Sequence, residues 1–356
     1  MNMMSNKAMI AMSGGVDSSV AAHLMKERGF DCVGATMKLF SKDNTGDARN
    51  VAHKLDIPYH VFDFSDEFES MVIRRFIEAY EQGDTPNPCV ACNRHIKFGI
   101  LLSKAMEMGC DFLVTGHYAR IEWNGERGRF SLKKALDDAK DQSYFLCSMT
   151  QERLARTLFP LGEMRKKDVR GLASAQGFLN AQKRESQDIC FITGESYAAF
   201  IERRAEYAGR SHEPGNFINF ENKPLGRHRG LIRYTIGQRK GLGIASPHPL
   251  YVCAKNALDN TITLGNEAML YSSTVTAGEF NWIHPRPVQP VRVKARTRYR
   301  QMEQWATVVS AEGDSVRIEF DEPQRAAAPG QALVLYDGDE VVGGGTIETN
   351  GLLRSH

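Results

Sequence analysis

The chain has 356 residues, more than one average domain needs, and its 42% hydrophobic and 25% charged content is that of a globular protein. No run of 18 apolar residues offers a membrane span, and no signal peptide fits before the first apolar segment, so a cytoplasmic protein without membrane association is expected. Seven cysteines in a reducing compartment are core fillers, metal ligands or reagents rather than a disulfide scaffold, and a net charge of +2 excludes no partner until its distribution is seen.

The predicted elements begin with a buried strand at Lys7–Met12, followed by a helix over Val16–Arg28 with Val16, Val20, Leu24 and Met25 on one face. A strand at Cys32–Met37, a helix at Asp47–Leu55, and strands at Tyr59–Phe62 and Asp111–Thr115 continue the pattern, with helices at Phe68–Tyr80 and Ile96–Met108 between them. Continuous apolar strands alternating with helices predict a parallel sheet covered on both faces. Near Ala208 helical periodicity gives way to Gly, Pro, Asn and short β-branched runs. Between Glu221 and Asp259 there are seven Lys or Arg and no Asp or Glu. From about Ser273, closely spaced strands with turns at Glu312-Gly313-Asp314 and Tyr336-Asp337-Gly338-Asp339 predict a small β-barrel or sandwich. The expected division is 1–207, 208–272 and 273–356.

Ser13-Gly14-Gly15-Val16-Asp17-Ser18-Ser19 joins the first strand to the first helix. Two glycines allow a tight turn and close approach of a ligand, and the helix start offers N–H groups to an anion. The serine hydroxyls add donors for phosphate, and Asp17 is a candidate for holding Mg2+. The lysine of a Walker A loop is absent, as is GxGxxG, so this is a phosphate cradle of another kind. Plain helix capping needs less than two glycines followed by Asp-Ser-Ser. The segment resembles the PP-loop of the ATP pyrophosphatases, which implies cleavage of ATP between its α and β phosphates and adenylation of a substrate oxygen.

Thr85-Pro86-Asn87-Pro88-Cys89-Val90-Ala91-Cys92-Asn93-Arg94 leads into a helix, placing Cys92 at or near its N-terminus, where the helix and Arg94 are expected to favour a thiolate. Ninety-eight positions later, Glu185-Ser186-Gln187-Asp188-Ile189-Cys190-Phe191 sets a second cysteine among polar residues. A thiolate there can carry a persulfide sulfur, with another cysteine resolving the remainder as a disulfide. Zinc is the competing reading, since Cys89, Cys92 and His95 have ligand-like spacing and Cys190 could complete a tetrahedron, but a second close pair is missing. Cys32, Cys110, Cys147 and Cys253 sit in apolar runs and read as core.

Those two cysteine segments and the glycine turn occur in order with Thr-Gly-His-Tyr-Ala-Arg at Thr115–Arg120, Lys-Asp-Gln-Ser-Tyr at Lys140–Tyr144, Tyr-Thr-Ile-Gly-Gln-Arg-Lys-Gly-Leu-Gly at Tyr234–Gly243 and Arg-Tyr-Arg-Gln at Arg298–Gln301. The set resembles the bacterial tRNA-specific 2-thiouridylases along nearly the whole chain. The resemblance implies a doubly wound α/β domain of the adenine nucleotide alpha hydrolase kind, then a small central domain and a C-terminal β-barrel. It implies an ATP site formed by Ala11, Met12, Ser13, Gly14, Gly15, Val16, Asp17, Ser18, Met37 and Gly116. Asn87, Pro88 and Cys89 would face the target uridine; some members carry an acidic residue where this chain has Cys89. Cys92 would be the nucleophile and Cys190 the persulfide carrier, while His117, Lys140, Asp141, Gln142, Arg298, Tyr299 and Gln331 would contact tRNA. By chemistry alone the role of His117 is undecided, since a histidine after Thr-Gly at a strand end is often a hydrogen-bonded structural residue, while Lys140–Gln142 reads as a solvated turn and Gln331 as a loop residue. The implied reaction is ATP-dependent 2-thiolation of the wobble uridine (position 34) in tRNAs for Lys, Glu and Gln. A cysteine desulfurase or a sulfur-relay protein would supply the sulfur.

Independently of resemblance, Arg292, Lys294, Arg296, Arg298 and Arg300 alternate with Val291, Val293, Ala295, Thr297 and Tyr299. On one strand all five cations would share a face, suited to a polyanion, unless acidic neighbours such as Asp321 or Glu319 compensate. Arg227, Arg229, Arg233, Arg239 and Lys240 lack acidic residues in their own segment. Five phosphate contacts would give a log affinity against log salt slope of roughly −3.5 to −4.5.

Overall fold

The computed structural model describes residues 6–40, 45–181, 189–204, 212–288 and 290–349. Glu185–Asp188 of the second cysteine segment and the expected boundary near Ala208 lie outside the described residues. Two compact units divide the chain: Met1–Met71, Cys89–Asp188 and Gly338–Val342 form one, and Val72–Pro88, Ile189–Asp337 and Gly343–His356 the other.

In the first unit five parallel strands, β1 (Lys7–Ala11), β2 (Asp31–Lys38), β3 (Tyr59–Asp63), β4 (Phe112–Val114) and β7 (Thr157–Leu158), lie in the order β3-β2-β1-β4-β7. Ala8 and Ile10 of β1 pack with Val16, Val20 and Ala21 of helix α1 (Val16–Glu27) and with Val169 and Ala173 of the helix Lys166–Ala175. Strand side chains alternate, so Met9, equally buried, faces the other side. The order reverses between β1 and β4, and in open α/β sheets ligands bind beyond the carboxyl ends of strands at such a switch. The glycine turn follows β1, and Thr115-Gly116-His117 follows β4. A hairpin that periodicity did not indicate, β5 (Arg120–Asn124) with β6 (Arg129–Lys133), also belongs to this unit, and Glu340 pairs with Lys133.

The second unit holds a four-stranded sheet of β8 (Asn216–Ile218), β9 (Pro224–Arg227), β10 (Tyr251–Asn256) and β11 (Thr261–Gly265), in the order β10-β11-β8-β9, around Phe217, Leu231, Val252, Ile262 and Leu264. Its other sheet is antiparallel, with β12 (Tyr271–Trp282), β13 (Val291–Arg296), β14 (Gln304–Glu312), β15 (Ser315–Arg325), β16 (Ala332–Asp337) and, from Gly343 on, β17 (Glu340–Ile347). The order is β12-β15-β14-β13-β16-β17, and Ala277↔Ile347 with Trp282↔Gly343 closes the barrel. Both predicted turns occur, with Gly313 (φ 56°) between β14 and β15 and Gly338 (φ 60°) between β16 and β17.

The basic row is shorter than expected. β13 ends at Arg296, and Arg298 and Arg300 lie in the turn beyond it. Thr297 is buried, and Gln301 Oε1 accepts from both its amide (2.9 Å) and its hydroxyl (2.8 Å), which bends the chain away. Arg292 is paired with Asp321 at 2.6 and 2.7 Å, and Arg296 with Glu303 at 2.8 Å. Arg292 and Lys294 flank the Trp305 ring at 5.4 and 5.3 Å, so an aromatic face offsets the repulsion between neighbouring cations. Acidic neighbours therefore compensate much of this row. The central segment keeps its basic face: Arg227, Arg229, Arg239 and Lys240 are exposed, whereas Arg233 is paired with Glu202.

Candidate active site

The glycine turn is held open from within. Gly14 takes φ 71°, a conformation that favours glycine, and Gly15 is the N-cap of α1 with no side chain to cap the first N–H groups. Ser18 and Ser19 donate their hydroxyls to the Gly15 carbonyl at 3.0 and 2.9 Å, and Ser13 N–H donates to Ser18 Oγ at 3.2 Å. Those hydroxyls shape the turn in this structure. The first backbone N–H groups of α1 have no side-chain cap, the arrangement that suits an anion. Met12 is fixed by its amide to Ala35 O (2.7 Å) and by Thr36 Oγ1 on its carbonyl (2.5 Å), and Met37 is half-buried near the end of β2. Gly116 lies against α1 so closely that a Cβ would meet Asp17 C and Ser18 N at 2.9 Å.

Three further residues complete this corner. Lys166, buried at the start of its helix, donates to both oxygens of Asp17 at 2.7 Å, and Tyr118 OH donates to Asp17 Oδ1 at 2.7 Å. Asn180 donates to Gly14 O (3.0 Å) and Ser19 Oγ (2.9 Å), while its own buried Oδ1 has no hydrogen-bond partner. With a cation on both carboxylate oxygens, Asp17 does not fit the expected role of Mg2+ ligand. It holds an ammonium group beside the turn instead. Tyr118 lies within a segment legible from sequence; Lys166 and Asn180 are 149 and 166 positions from their partners and had no local signal.

The cysteine helix starts earlier than predicted. Pro88–Ala91 forms its first turn and Cys92–Leu101 continues it as a π-helix before Leu102–Glu107 returns to α geometry. Cys92 is thus in the second turn rather than at the N-terminus. Burial pushes the Cys92 thiol above its ordinary value, opposed by Lys97 and reinforced by Cys89; the Cys89 thiol, though its residue is exposed, is likewise raised by crowding and lowered by Lys97. Lys97, not Arg94, is therefore the cation acting on both thiols. In a π-helix, bonding runs from i to i+5, the spacing from Cys92 to Lys97, and no α-helical template would have singled Lys97 out. Arg94 instead lines an open cavity of about 390 Å3 with His95, Lys104 and Arg153. Asn93 is buried, donating to Phe145 O at 2.9 Å with its Oδ1 lacking a partner.

His117 sits between the Phe98 and Phe159 rings, with Thr115 Oγ1 at 2.6 Å from Nδ1 and Lys97 Nζ at 3.4 Å from Nε2. An ammonium only donates, so Nε2 accepts and Nδ1 carries the proton. Burial and Lys97 hold its pKa well below the ordinary 6.5, keeping the ring neutral. Asp141 is buried rather than solvated, accepting from Ala135 N (3.2 Å), Ser143 N (3.1 Å) and Ser143 Oγ (2.9 Å). Gln142 bonds both backbone groups of Tyr118, at 2.9 and 2.8 Å, while Lys140 is half-buried. The Lys140–Gln142 segment is thereby stitched to the segment carrying Gly116 and His117.

Cys190 is exposed in the second unit, and the next residue, Phe191, is a buried anchor against Phe76 and Phe200, each at 5.4 Å. All seven cysteines stand as thiols, and Cys32, Cys110, Cys147 and Cys253 are buried core residues as expected. Burial pushes Cys147 up to about 12, which makes it inert at neutral pH. Exposed Arg298 donates to the Arg325 and Ala326 carbonyls at 2.6 and 2.9 Å, and half-buried Tyr299 lies in the same turn. Gln331 Nε2 donates to Thr85 O at 2.7 Å, beside half-buried Asn87 and buried Pro88. Among the described residues no helix is long and apolar enough to cross a membrane, and no three His, Cys, Asp or Glu side chains gather as a metal-binding group.

Three family profiles match the chain: a "tRNA methyl transferase HUP domain" over residues 6–194, a "tRNA methyl transferase PRC-barrel domain" over 200–266 and an "Aminomethyltransferase beta-barrel domain" over 272–347. The tRNA-specific 2-thiouridylase MnmA of Acetivibrio thermocellus is 45% identical over 97% of this chain and 100% of its own length. That of Moorella thermoacetica is 48% identical over 96% and 99%, and that of Clostridioides difficile 44% over 97% and 99%. A solved 4-thiouridine synthetase–RNA complex with bound ATP covers 57% of this chain and 50% of its own at 17% identity, with a TM-score of 0.34, too low to carry an argument. Matched end to end at this level of identity, the chain belongs to the tRNA-specific 2-thiouridylase family.

Proposed function

We propose that this chain uses ATP to replace O2 of the wobble uridine (position 34) of tRNA with sulfur. The observation that carries the reading is the uncapped helix start at Gly14–Asp17 with the Lys166 ammonium beside it, in a chain of this family. ATP lies along Ala11–Ser18, Met37 and Gly116, its phosphates on the turn's N–H groups. The uracil O2 attacks the α-phosphate and pyrophosphate departs, while Lys166 and the helix start offset the charge that develops there. Adenylation turns O2 into a leaving group. The terminal sulfur of a Cys190 persulfide then bonds to C2 and AMP leaves. The Cys92 thiolate attacks the Cys190 sulfur, the sulfur–sulfur bond to the base breaks, its electron pair stays with the base as thiolate, and a Cys92–Cys190 disulfide remains for an external reductant. Release of the persulfide sulfur by Cys92 as sulfide before it reaches C2 gives the same products.

Asn87, Pro88 and Cys89 face the flipped base, and His117, Lys140, Asp141, Gln142, Arg298 and Tyr299 lie along the RNA, as do the exposed cations of the central segment. The functional parts are 1–207, 208–272 and 273–356, acting in the cytoplasm on tRNAs for Lys, Glu and Gln, with a cysteine desulfurase or relay protein upstream. Magnesium would accompany ATP chiefly on phosphate and water oxygens rather than on Asp17. Methyl transfer, the chemistry in two profile descriptions, requires no pyrophosphate cradle. Incubation with tRNA, ATP and a persulfide donor, followed by nucleoside mass analysis, should show one sulfur-for-oxygen exchange at uridine. Cys190→Ser should abolish the exchange and leave tRNA binding intact. A methylated nucleoside, or no change of mass, would sink the reading.

A further inference from the structure

The second unit contains both the turn Pro329-Gly330-Gln331 that precedes β16 and the segment Thr85–Asn87 that precedes the cysteine helix. The two are joined by backbone: Thr85 N–H donates to Pro329 O at 2.8 Å, and Gln331 Nε2 donates to Thr85 O at 2.7 Å and lies 3.5 Å from Pro86 O. Gly330 (φ +87°) lies so close that a Cβ would stand 3.0 Å from the Thr85 N, C and O atoms. The turn is itself fixed to β17, through Gly330 N–H to Ile347 O (2.9 Å) and Ile347 N–H to Gln331 O (2.8 Å). Downstream of the clasp the chain has little freedom. Pro86 and Pro88 fix their own φ, restrict the residues before them and offer no N–H to any other partner. Pro88 then opens the helix that carries Cys89 and Cys92.

We propose that Gln331 is a positioning residue: with Gly330 it clasps Thr85 and Pro86 and so sets where Asn87, Pro88 and the start of the cysteine helix stand. This deepens the thiolation reading and rests on it for its catalytic consequence, while the clasp is tested without turnover. Its amide is already committed to the protein's own carbonyls, a role different from contacting RNA.

The test uses the full chain without tRNA, measuring hydrogen exchange of residues 84–92 and iodoacetamide alkylation of Cys89 and Cys92. Gln331→Ala, and Gln331→Glu, which cannot donate, should each speed both by about fivefold, the range expected for one lost hydrogen bond. Gly330→Ala, which alters no side chain that could reach RNA, should do the same. In turnover kcat should fall more than the KM for tRNA rises. Unchanged exchange and alkylation in Gln331→Ala, with weakened tRNA binding, would overturn the clasp and leave Gln331 as an RNA contact. If thiolation itself proved absent, the exchange and alkylation results would still decide the point.

Discussion

At the scale of single residues the decisive contact is Lys166 on Asp17. Replacing Lys166 by Met leaves the Asp17 carboxylate, among the described residues, with the Tyr118 hydroxyl and removes the cation beside the turn; tRNA-stimulated pyrophosphate release should drop roughly a hundredfold, the usual scale for one lost electrostatic donor. The thiols carry a pH signature. Burial raises the Cys92 pKa, so its thiolate grows only as pH climbs past the ordinary thiol value, and alkylation of Cys92 should keep accelerating there. Lys97→Met removes the opposing charge and should move that rise to still higher pH, whereas Arg94→Met should leave it in place. The glycine turn and both cysteines were legible because each is a local pattern with a chemical reason. Lys166, Asn180 and Lys97 were not, since the first two act across more than a hundred positions and the third through π-helical spacing.

At the scale of elements the contact between the β4 loop and the first turn of α1 sets the nucleotide corner. Gly116→Ala would drive a methyl group into the Asp17 and Ser18 backbone; ATP affinity should weaken about tenfold in calorimetry, with a stability loss of about 1–3 kcal/mol typical of overpacking. The strands β1, β2 and β4 could be read from sequence because each is a short apolar run largely buried in the sheet, whereas β3, also read, is an edge strand exposed at His60 and Val61, and the two-residue β7 gave no signal. The β5–β6 hairpin escaped because Arg120–Asn124 and Arg129–Lys133 are only partly buried and mixed in polarity. Alternation misled at Val291–Gln301, where a buried threonine and the Gln301 amide end the strand that the cations continue. A period of two reports which face a side chain would take, not where hydrogen bonding stops.

At the scale of the whole molecule, affinity for RNA should follow the cations left without acidic partners. Arg233 is neutralised by Glu202, so four exposed cations of the central segment remain, and their contribution to the salt slope should be roughly −3 to −3.5. Replacing Arg227, Arg229, Arg239 and Lys240 together by Ala should flatten the slope by that amount in a filter-binding series, without changing which tRNA is preferred. The two compact units are interlaced along the chain: the first borrows Gly338–Val342 from near the end, the second Val72–Pro88 from the first quarter. A ribosome therefore cannot finish the nucleotide-binding unit until almost the whole message is translated. The β5–β6 hairpin must wait, its Lys133 edge unpaired, until Glu340 emerges. No single scission of the polypeptide separates the two units from each other, and a fragment ending before Glu340 should emerge with the Lys133 strand edge open and a tendency to aggregate.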